Sequence, residues 1–207
     1  MHDLAPVLVN LLQDERGEGL TAALDSGRPI VLAAERACEW PPEVGKRLRA
    51  LLRHPLPVTG VLGGRLDGSA TALFLACDTL IMTPGASLRF ETSGLGEVAL
   101  LALRLGYAEA SRVWFSGGQL SGRQAAKAGW AEVEPSGFGA ATEAARTRYD
   151  GLSHEAITLL RPMLYHQAGL PLAQAQALER AAFALAFQTG HPAEGVAAFL
   201  EKRKPRF

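Results

Sequence analysis

Short apolar runs alternate with stretches of helical spacing along the first two thirds of the chain. Residues 7–12, 29–34, 57–62 and 79–82 are rich in valine, leucine and isoleucine, and glycine or proline lies near most of them, which is typical of buried strands. Between the second and third runs, Val44, Leu48, Leu51 and Leu52 recur at the spacing of an amphipathic helix. Strands that alternate with helices predict an α/β fold.

Residues 57–90 carry the clearest pattern of secondary structure in the chain. We interpret them as a strand, a glycine-rich turn, a buried helix, a strand and a second short strand. Gly60, Gly63, Gly64 and Gly68 allow sharp turns and close backbone approach. Residues 69–76 are almost wholly apolar, so a helix there is expected to be buried on most sides. The first N–H groups of a helix have no partner within it, and such groups bind anions or a developing oxyanion.

The rest of the chain is predicted to be mainly helical. Ser121 and Gln124 form a capping-box pattern for a helix over residues 122–128. The other predicted elements are helices over residues 98–105, 108–115, 140–149, 153–164 and 172–187, a last helix that begins near Pro192, a strand over 131–133 and a loop over 135–139. We therefore predict an α/β core over residues 1–140 and a C-terminal helical region over residues 141–207.

Composition and charge exclude several classes of function. The 21 basic and 21 acidic residues cancel, so we expect no binding to nucleic acid or to an anionic membrane surface. Cys38 and Cys77 provide neither a disulfide framework nor a zinc cluster, and the histidines lack ligand spacing, so no metal is expected. No apolar run approaches the roughly 20 residues that span a bilayer, and no signal peptide is apparent, so we expect a cytoplasmic protein.

Three segments carry a resemblance to a known family. They are Pro57-Val58 with the glycines up to Gly68 and the run ALFLACD over residues 72–78, the segment FSGGQLS…AAKAGW within residues 115–130, and the terminus EGVAAFLEKRKPRF over residues 194–207. Over these segments the chain resembles the crotonase superfamily, also called the enoyl-CoA hydratase/isomerase family. The resemblance implies a ClpP/crotonase-like spiral of βαβ units, whose C-terminal helical region mediates trimerisation. It also implies a homotrimer or a dimer of trimers.

The family binds acyl-CoA thioesters, so the resemblance implies a thioester ligand, with coenzyme A as part of the substrate and no separate cofactor. One oxyanion N–H would belong to Ser69, beside Gly68, while the alternative is a helix entrance capped by the serine side chain. Lys202 and Lys204 would meet the CoA phosphates, or else form a solvated helix end.

The two glutamates that family hydratases use are replaced in this chain. Their positions correspond by resemblance to Ala72 and Thr92, and neither side chain exchanges protons near neutral pH. General acid–base catalysis is commonly worth a factor of about 100 to 10,000. We therefore expect ordinary enoyl-CoA hydratase activity to be negligible.

Three other acids lie close to these positions. Glu97 begins a predicted helix where the family's site lies, and the alternative is a first-turn glutamate that complements the helix dipole. Glu91 is one residue from the second position, but a strand would point its side chain to the other face. Asp67 precedes Gly68 and is otherwise an ordinary turn residue.

Three hypotheses for function remain open at this point. The first is a divergent acyl-CoA-binding member with weak, altered or lost catalysis. The second is an active enzyme that uses Glu97, Glu91 or Asp67 for another acyl-CoA reaction, such as isomerisation or thioester hydrolysis. The third is a non-catalytic subunit that associates with a catalytic relative.

Overall fold

The computed structural model describes residues 5–14, 16–36, 44–166 and 170–207. In chain order its elements are β1 (Val7–Asn10), α1 (Glu18–Asp25), β2 (Ile30–Ala34), α2 (Val44–Arg53), β3 (Val58–Leu62), β4 (Arg65–Leu66), α3 (Ala70–Phe74), β5 (Thr79–Met82), β6 (Ser87–Arg89), α4 (Glu97–Leu105), α5 (Tyr107–Phe115), β7 (Gln119–Ser121), α6 (Gly122–Lys127), β8 (Ala131–Val133), α7 (Phe138–Thr147), α8 (His154–His166), α9 (Leu172–Ala186) and α10 (His191–Leu200). The predicted α/β class is confirmed.

The strands of the described chain form two sheets. The larger has the order β1-β2-β3-β5-β8, and all of its strands are parallel. Helices connect its successive strands, as parallel pairing requires. In the smaller sheet, β4 pairs parallel with β6, and β6 pairs antiparallel with β7. The strands β4 and β7 were not predicted, because their pairing is decided by contacts far apart in sequence.

The larger sheet is buried on both faces. One face packs on the main core with α1, α2 and α3, while the other carries Val31, Val61 and Ile81 against α7. Ala141 and Ala145 of α7 are fully buried there, and their small side chains allow the helix to lie close to the strands. The helix begins at Phe138, inside the predicted loop, and the predicted division at residue 140 falls within it.

The carbonyl end of α3 is held by side chains from distant parts of the chain. The Arg104 Nε donates to Leu75 O at 3.0 Å, and the Tyr165 hydroxyl donates to Ala76 O at 3.3 Å. Arg104 and Arg161 each place a guanidinium carbon 5.0 Å from the centre of the Tyr165 ring. Burial lowers the pKa of Arg104. Cations suit this position because carbonyl groups at a helix end carry partial negative charge.

Arg161 also forms an ion pair that joins α8 to the start of β5, with the Arg161 side chain 5% and the Asp78 side chain 25% exposed. Its Nε lies 2.8 Å from Asp78 Oδ2, and the same oxygen accepts the Val58 N–H at 2.8 Å. The guanidinium donates further to the carbonyl oxygens of His54 and Leu51 in and after α2. One side chain thereby joins α8, α2 and the loop after α3.

The C-terminal helices expose much of their apolar surface. No residue of α9 is buried, and the hydrogen bonds described above join α8 to the core through Arg161 and Tyr165. Within the described residues, no helix is long and apolar enough to cross a membrane. The predicted capping box of Ser121 and Gln124 is confirmed at the start of α6.

We predict that Arg161→Met destabilises the fold by about 3–5 kcal/mol, because it leaves Asp78 without its buried partner. Urea denaturation of both proteins measures this loss. Arg112→Met is the matched control, since Arg112 pairs with Glu109 on the surface of α5 and its side chain is 51% exposed. The control is expected to lose about 0–1 kcal/mol, and equal losses in the two variants would show that the pair with Asp78 contributes nothing.

Candidate active site

A cavity of about 170 Å³ lies between the turn before α3 and the loop before α4. Its lining residues come from three stretches of the chain: Gly68, Ser69, Thr71, Ala72, Phe90, Glu91, Ser93 and Glu97. The cavity therefore brings together four of the predicted site residues, namely Gly68, Ser69, Glu91 and Glu97. Sequence reasoning missed Thr71, Phe90 and Ser93 as lining residues, because none of them carries a motif.

The turn into α3 depends on the backbone conformation of Gly68. Its φ is +75°, in the left-handed region that favours glycine, and a Cβ at this position would have no neighbouring atom within 4 Å. Glycine is thus needed for the turn and not for a close contact. Ser69 is the N-cap residue of α3, but its side chain makes no capping hydrogen bond. The alternative of a serine side-chain cap is therefore wrong.

Glu97 is the first residue of α4, and it is only 4% exposed. Its carboxylate accepts the Ser93 N–H at 3.3 Å and the Leu95 N–H at 3.0 Å, and it also accepts the Ser93 hydroxyl. These donors compensate a buried charge and fix the direction of the carboxylate. Glu97 thus occupies the first turn of its helix, where acids are favoured, and also lines the cavity.

Glu91 lines the same cavity from the other side of its loop. The expectation that a strand would turn its side chain away was wrong, because β6 ends at Arg89 and the following residues are not in a strand. Thr92 is exposed and does not line the cavity, whereas Ala72 is buried and does. The cavity therefore carries carboxylates at positions 91 and 97, while the two positions that resemble the hydratase acids hold none.

The remaining predicted site residues lie outside the cavity lining. Asp67 pairs with Arg65 at 2.8 Å on the surface, beside the turn. Lys202 and Lys204 are exposed and follow α10. Arg203, between them, pairs with Glu194, and this contact lowers the pKa of Glu194 to about 2. The ion pair of Arg203 with Glu194 fixes the chain end against the first turn of α10. Neither lysine lines the cavity.

A second, larger cavity of about 370 Å³ lies at the amino-terminal ends of β3 and β5. Leucine and isoleucine side chains of α8 form much of its wall, and the ion pair of Asp78 with Arg161 borders it. Tyr149 lines it too, with its hydroxyl 2.7 Å from the Thr59 hydroxyl, and burial raises the pKa of the phenol. Because the charged groups at its border are paired with each other, this larger cavity offers fewer groups for proton transfer than the cavity at Gly68.

Cys77 follows α3 in the described chain and is fully buried, as the sequence predicts for a small core residue. Burial raises the pKa of its thiol, so it is not a nucleophile near neutral pH. Cys38 lies outside the described residues. No cluster of three or more histidine, cysteine or acidic residues that suits a metal ion occurs in the described part of the chain.

Sequence comparison relates the chain to enoyl-CoA hydratases. A putative enoyl-CoA hydratase of Thermus thermophilus is 28% identical over 204 residues, which cover 93% of this chain and 80% of that protein. The mitochondrial enoyl-CoA hydratase domain-containing protein 2 of Bos taurus is 31% identical over 184 residues, which cover 80% of this chain and 62% of that protein. The chain is thus shorter than both relatives.

Solved structures share the fold at lower sequence identity. An enoyl-CoA hydratase from Bacillus anthracis superimposes with a TM-score of 0.84 at 21% identity, over 100% of this chain and 97% of that one. An enoyl-CoA hydratase/isomerase from Cupriavidus metallidurans gives a TM-score of 0.79 at 21% identity, over 94% and 84% of the two chains.

A model of the enoyl-CoA hydratase/isomerase family matches residues 30–207. This match extends from β2 to the last residue and includes every residue that lines the cavity. The chain belongs to the enoyl-CoA hydratase/isomerase family and has the crotonase fold.

Proposed function

We propose that the protein binds an acyl-CoA thioester and transfers a proton at the acyl group, with Glu97 as the proton-handling residue. The observation that carries this proposal is that the Gly68–Ser69 turn and the buried Glu97 carboxylate line one cavity. Membership of the family supports a thioester ligand, since the family's known members act on acyl-CoA. The type of reaction follows from the side chains that line the cavity.

The turn would hold the thioester oxygen. A proton that leaves the carbon next to a thioester carbonyl puts negative charge on the carbonyl oxygen as the enolate forms. The Ser69 N–H, at the start of α3, is the donor that the family resemblance assigns to that oxygen. One such donor is typically worth a factor of about 100–1000 in rate.

Glu97 would accept the proton and return it. Its carboxylate is held by donors from the Ser93–Leu95 turn, so it is oriented before a ligand binds. In an isomerisation, the proton leaves the α carbon, the double bond moves, and the same carboxylate returns a proton to the γ carbon. A single buried carboxylate is sufficient for both proton transfers. Its two oxygens can also accept a further hydrogen bond in addition to those from the turn.

Ordinary hydration requires more than this site offers. Adding water to a double bond requires one group to activate the water and another to handle the proton at carbon, and the family uses two glutamates for these tasks. Ala72 occupies one of those positions on the buried side of the cavity, and Thr92 at the other lies outside the lining. Glu91 is exposed, so water screens its charge and keeps it from acting as a buried acid.

We predict that Glu97→Gln slows exchange of the α protons of butyryl-CoA by at least about 100-fold, since the amide cannot accept the proton. Mass spectrometry of the thioester in D₂O follows the exchange. Glu109→Gln is the control, because Glu109 lies on the surface in a pair with Arg112, and it should leave the rate unchanged. Unchanged exchange in the Glu97 variant would contradict the assignment.

A second assay on the same protein distinguishes exchange of the α protons from hydration. The loss of absorbance of crotonyl-CoA in the ultraviolet reports addition of water to its double bond. The unmodified protein should show no turnover in that assay even where it exchanges α protons. Turnover close to that of an ordinary hydratase would mean that Glu91 and Glu97 together replace the family's pair.

A trimer or a dimer of trimers is the assembly that we propose. The support is the apolar surface of α9 and α10, where Phe183, Phe187 and Phe199 are 66%, 60% and 82% exposed. Exposed apolar patches are typical of interaction sites. The Phe183 and Phe187 rings contact each other, with centroids 4.5 Å apart, and so present one aromatic patch.

We predict from light scattering a mass of three or six times the 22.0 kDa of one chain. Replacing Phe183 and Phe187 by serine should lower that mass at micromolar concentration, because the interface loses its apolar contacts. Phe115→Ser on α5 is the control, since Phe115 is 90% exposed on another helix. A monomeric parent protein would contradict the proposed assembly.

A further inference from the structure

The cavity at Gly68 has an open side and a closed side. Ser69, Glu91 and Ser93 are exposed and form its mouth. Thr71, Ala72 and Phe90 are 1%, 3% and 3% exposed and form its floor, together with the buried Glu97. A ligand group that enters past the turn therefore meets buried side chains on the far side.

Phe90 is held in place through its backbone and through contact with a second aromatic ring. Its N–H donates to Gly118 O at 2.9 Å. Gly118 has no side chain to prevent this approach, whereas a Cβ there would lie 2.4 Å from Phe90 O. The Phe90 ring also lies against the Trp114 ring, with centroids 6.3 Å apart. Phe90 is 3% exposed, so its side chain has little room to change position without displacing its neighbours.

The other floor residues are also held in place. The Thr71 hydroxyl donates to Leu66 O at 3.4 Å in β4, and Ala72 lies within the buried helix α3. Glu97 is fixed by the turn of Ser93 and Leu95. Thr71 and Ala72 have short side chains, and hydrogen bonds hold the Glu97 carboxylate, so these residues have little freedom to deepen the cavity.

The volume limits what fits in front of this floor. A water-sized group takes about 30 Å³ of volume, so a cavity of about 170 Å³ holds roughly five or six non-hydrogen groups of that size. A thioester carbonyl uses about two of them. The space left corresponds to about three or four carbon atoms, and a buried carboxylate at the floor makes an extension by further methylene groups unfavourable.

We infer that the protein selects acyl groups of up to about four carbons, and that Phe90 is the residue that sets this limit. The inference rests on the proposed acyl-CoA ligand and goes beyond it in naming the class of acyl group. The acyl chain would enter past Ser69 and end against the Phe90 ring, while the CoA portion would stay outside the mouth.

Calorimetric titration with CoA, acetyl-CoA, butyryl-CoA and octanoyl-CoA tests this limit without depending on any reaction. The acetyl and butyryl thioesters should bind at least about tenfold more tightly than octanoyl-CoA. Phe90→Ala should remove most of that difference by raising the affinity for octanoyl-CoA. Phe115→Ala is the matched control, because Phe115 is 90% exposed on α5 and away from the cavity lining.

The outcomes separate this inference from the proposed function. If all three thioesters bind equally to the unmodified protein and more tightly than CoA, the chain-length limit is wrong and the acyl-CoA ligand stands. If none binds more tightly than CoA, the proposed ligand is wrong as well. Phe90→Leu is a second variant of intermediate size, and it should give an intermediate preference if Phe90→Ala does not fold, as judged by circular dichroism.

Discussion

The fold depends on the capping of the carbonyl end of α3. Arg104 from α4, with Arg161 and Tyr165 from α8, supply the donors for carbonyl groups that follow the helix. Unpaired carbonyls in a buried position would cost the full desolvation of each group. Because the other end of α3 is the turn at Gly68, the side chains that satisfy these carbonyls also hold the cavity wall in place.

This constraint links the C-terminal helices to the site. Arg161 lies in α8, and its buried pair with Asp78 joins that helix to the loop that leads into β5. A buried pair of this kind is not strong evidence of net stability, but removing one partner is costly. The arrangement therefore makes the position of α3 depend on the helical region that would also carry the oligomer contacts.

The cavity holds its acidic residues at positions other than the two that resemble the hydratase glutamates. Ala72 leaves the floor without an acid and also leaves space there. Glu97, at the start of α4, lines the cavity, and the Ser93–Leu95 turn compensates its charge. Positions 72 and 92 by themselves predict inert side chains, whereas the structure places Glu91 and Glu97, the other candidates from the sequence, in the lining of the cavity. This difference favours altered over lost chemistry.

Much of the fold was predictable, because the long apolar runs of β2, β3 and β5 and the capping box of α6 are local signals. The strands β4 and β7 were not, since their pairing is decided by contacts far apart in sequence. The residues Gly68, Ser69, Glu91 and Glu97 were identified as candidates, but the direction of Glu91 required the end of β6 to be known. The pair of Asp78 with Arg161 spans 83 residues, and no local pattern predicts it.

A crystal structure with a ketone analogue of butyryl-CoA, in which a methylene separates the sulfur from the carbonyl, tests the central claim most directly. The account predicts the carbonyl oxygen about 3 Å from the Ser69 amide nitrogen, with the adjacent carbon facing the Glu97 carboxylate. A carbonyl bound away from the Gly68 turn, or an acyl group that does not approach Glu97, would contradict it.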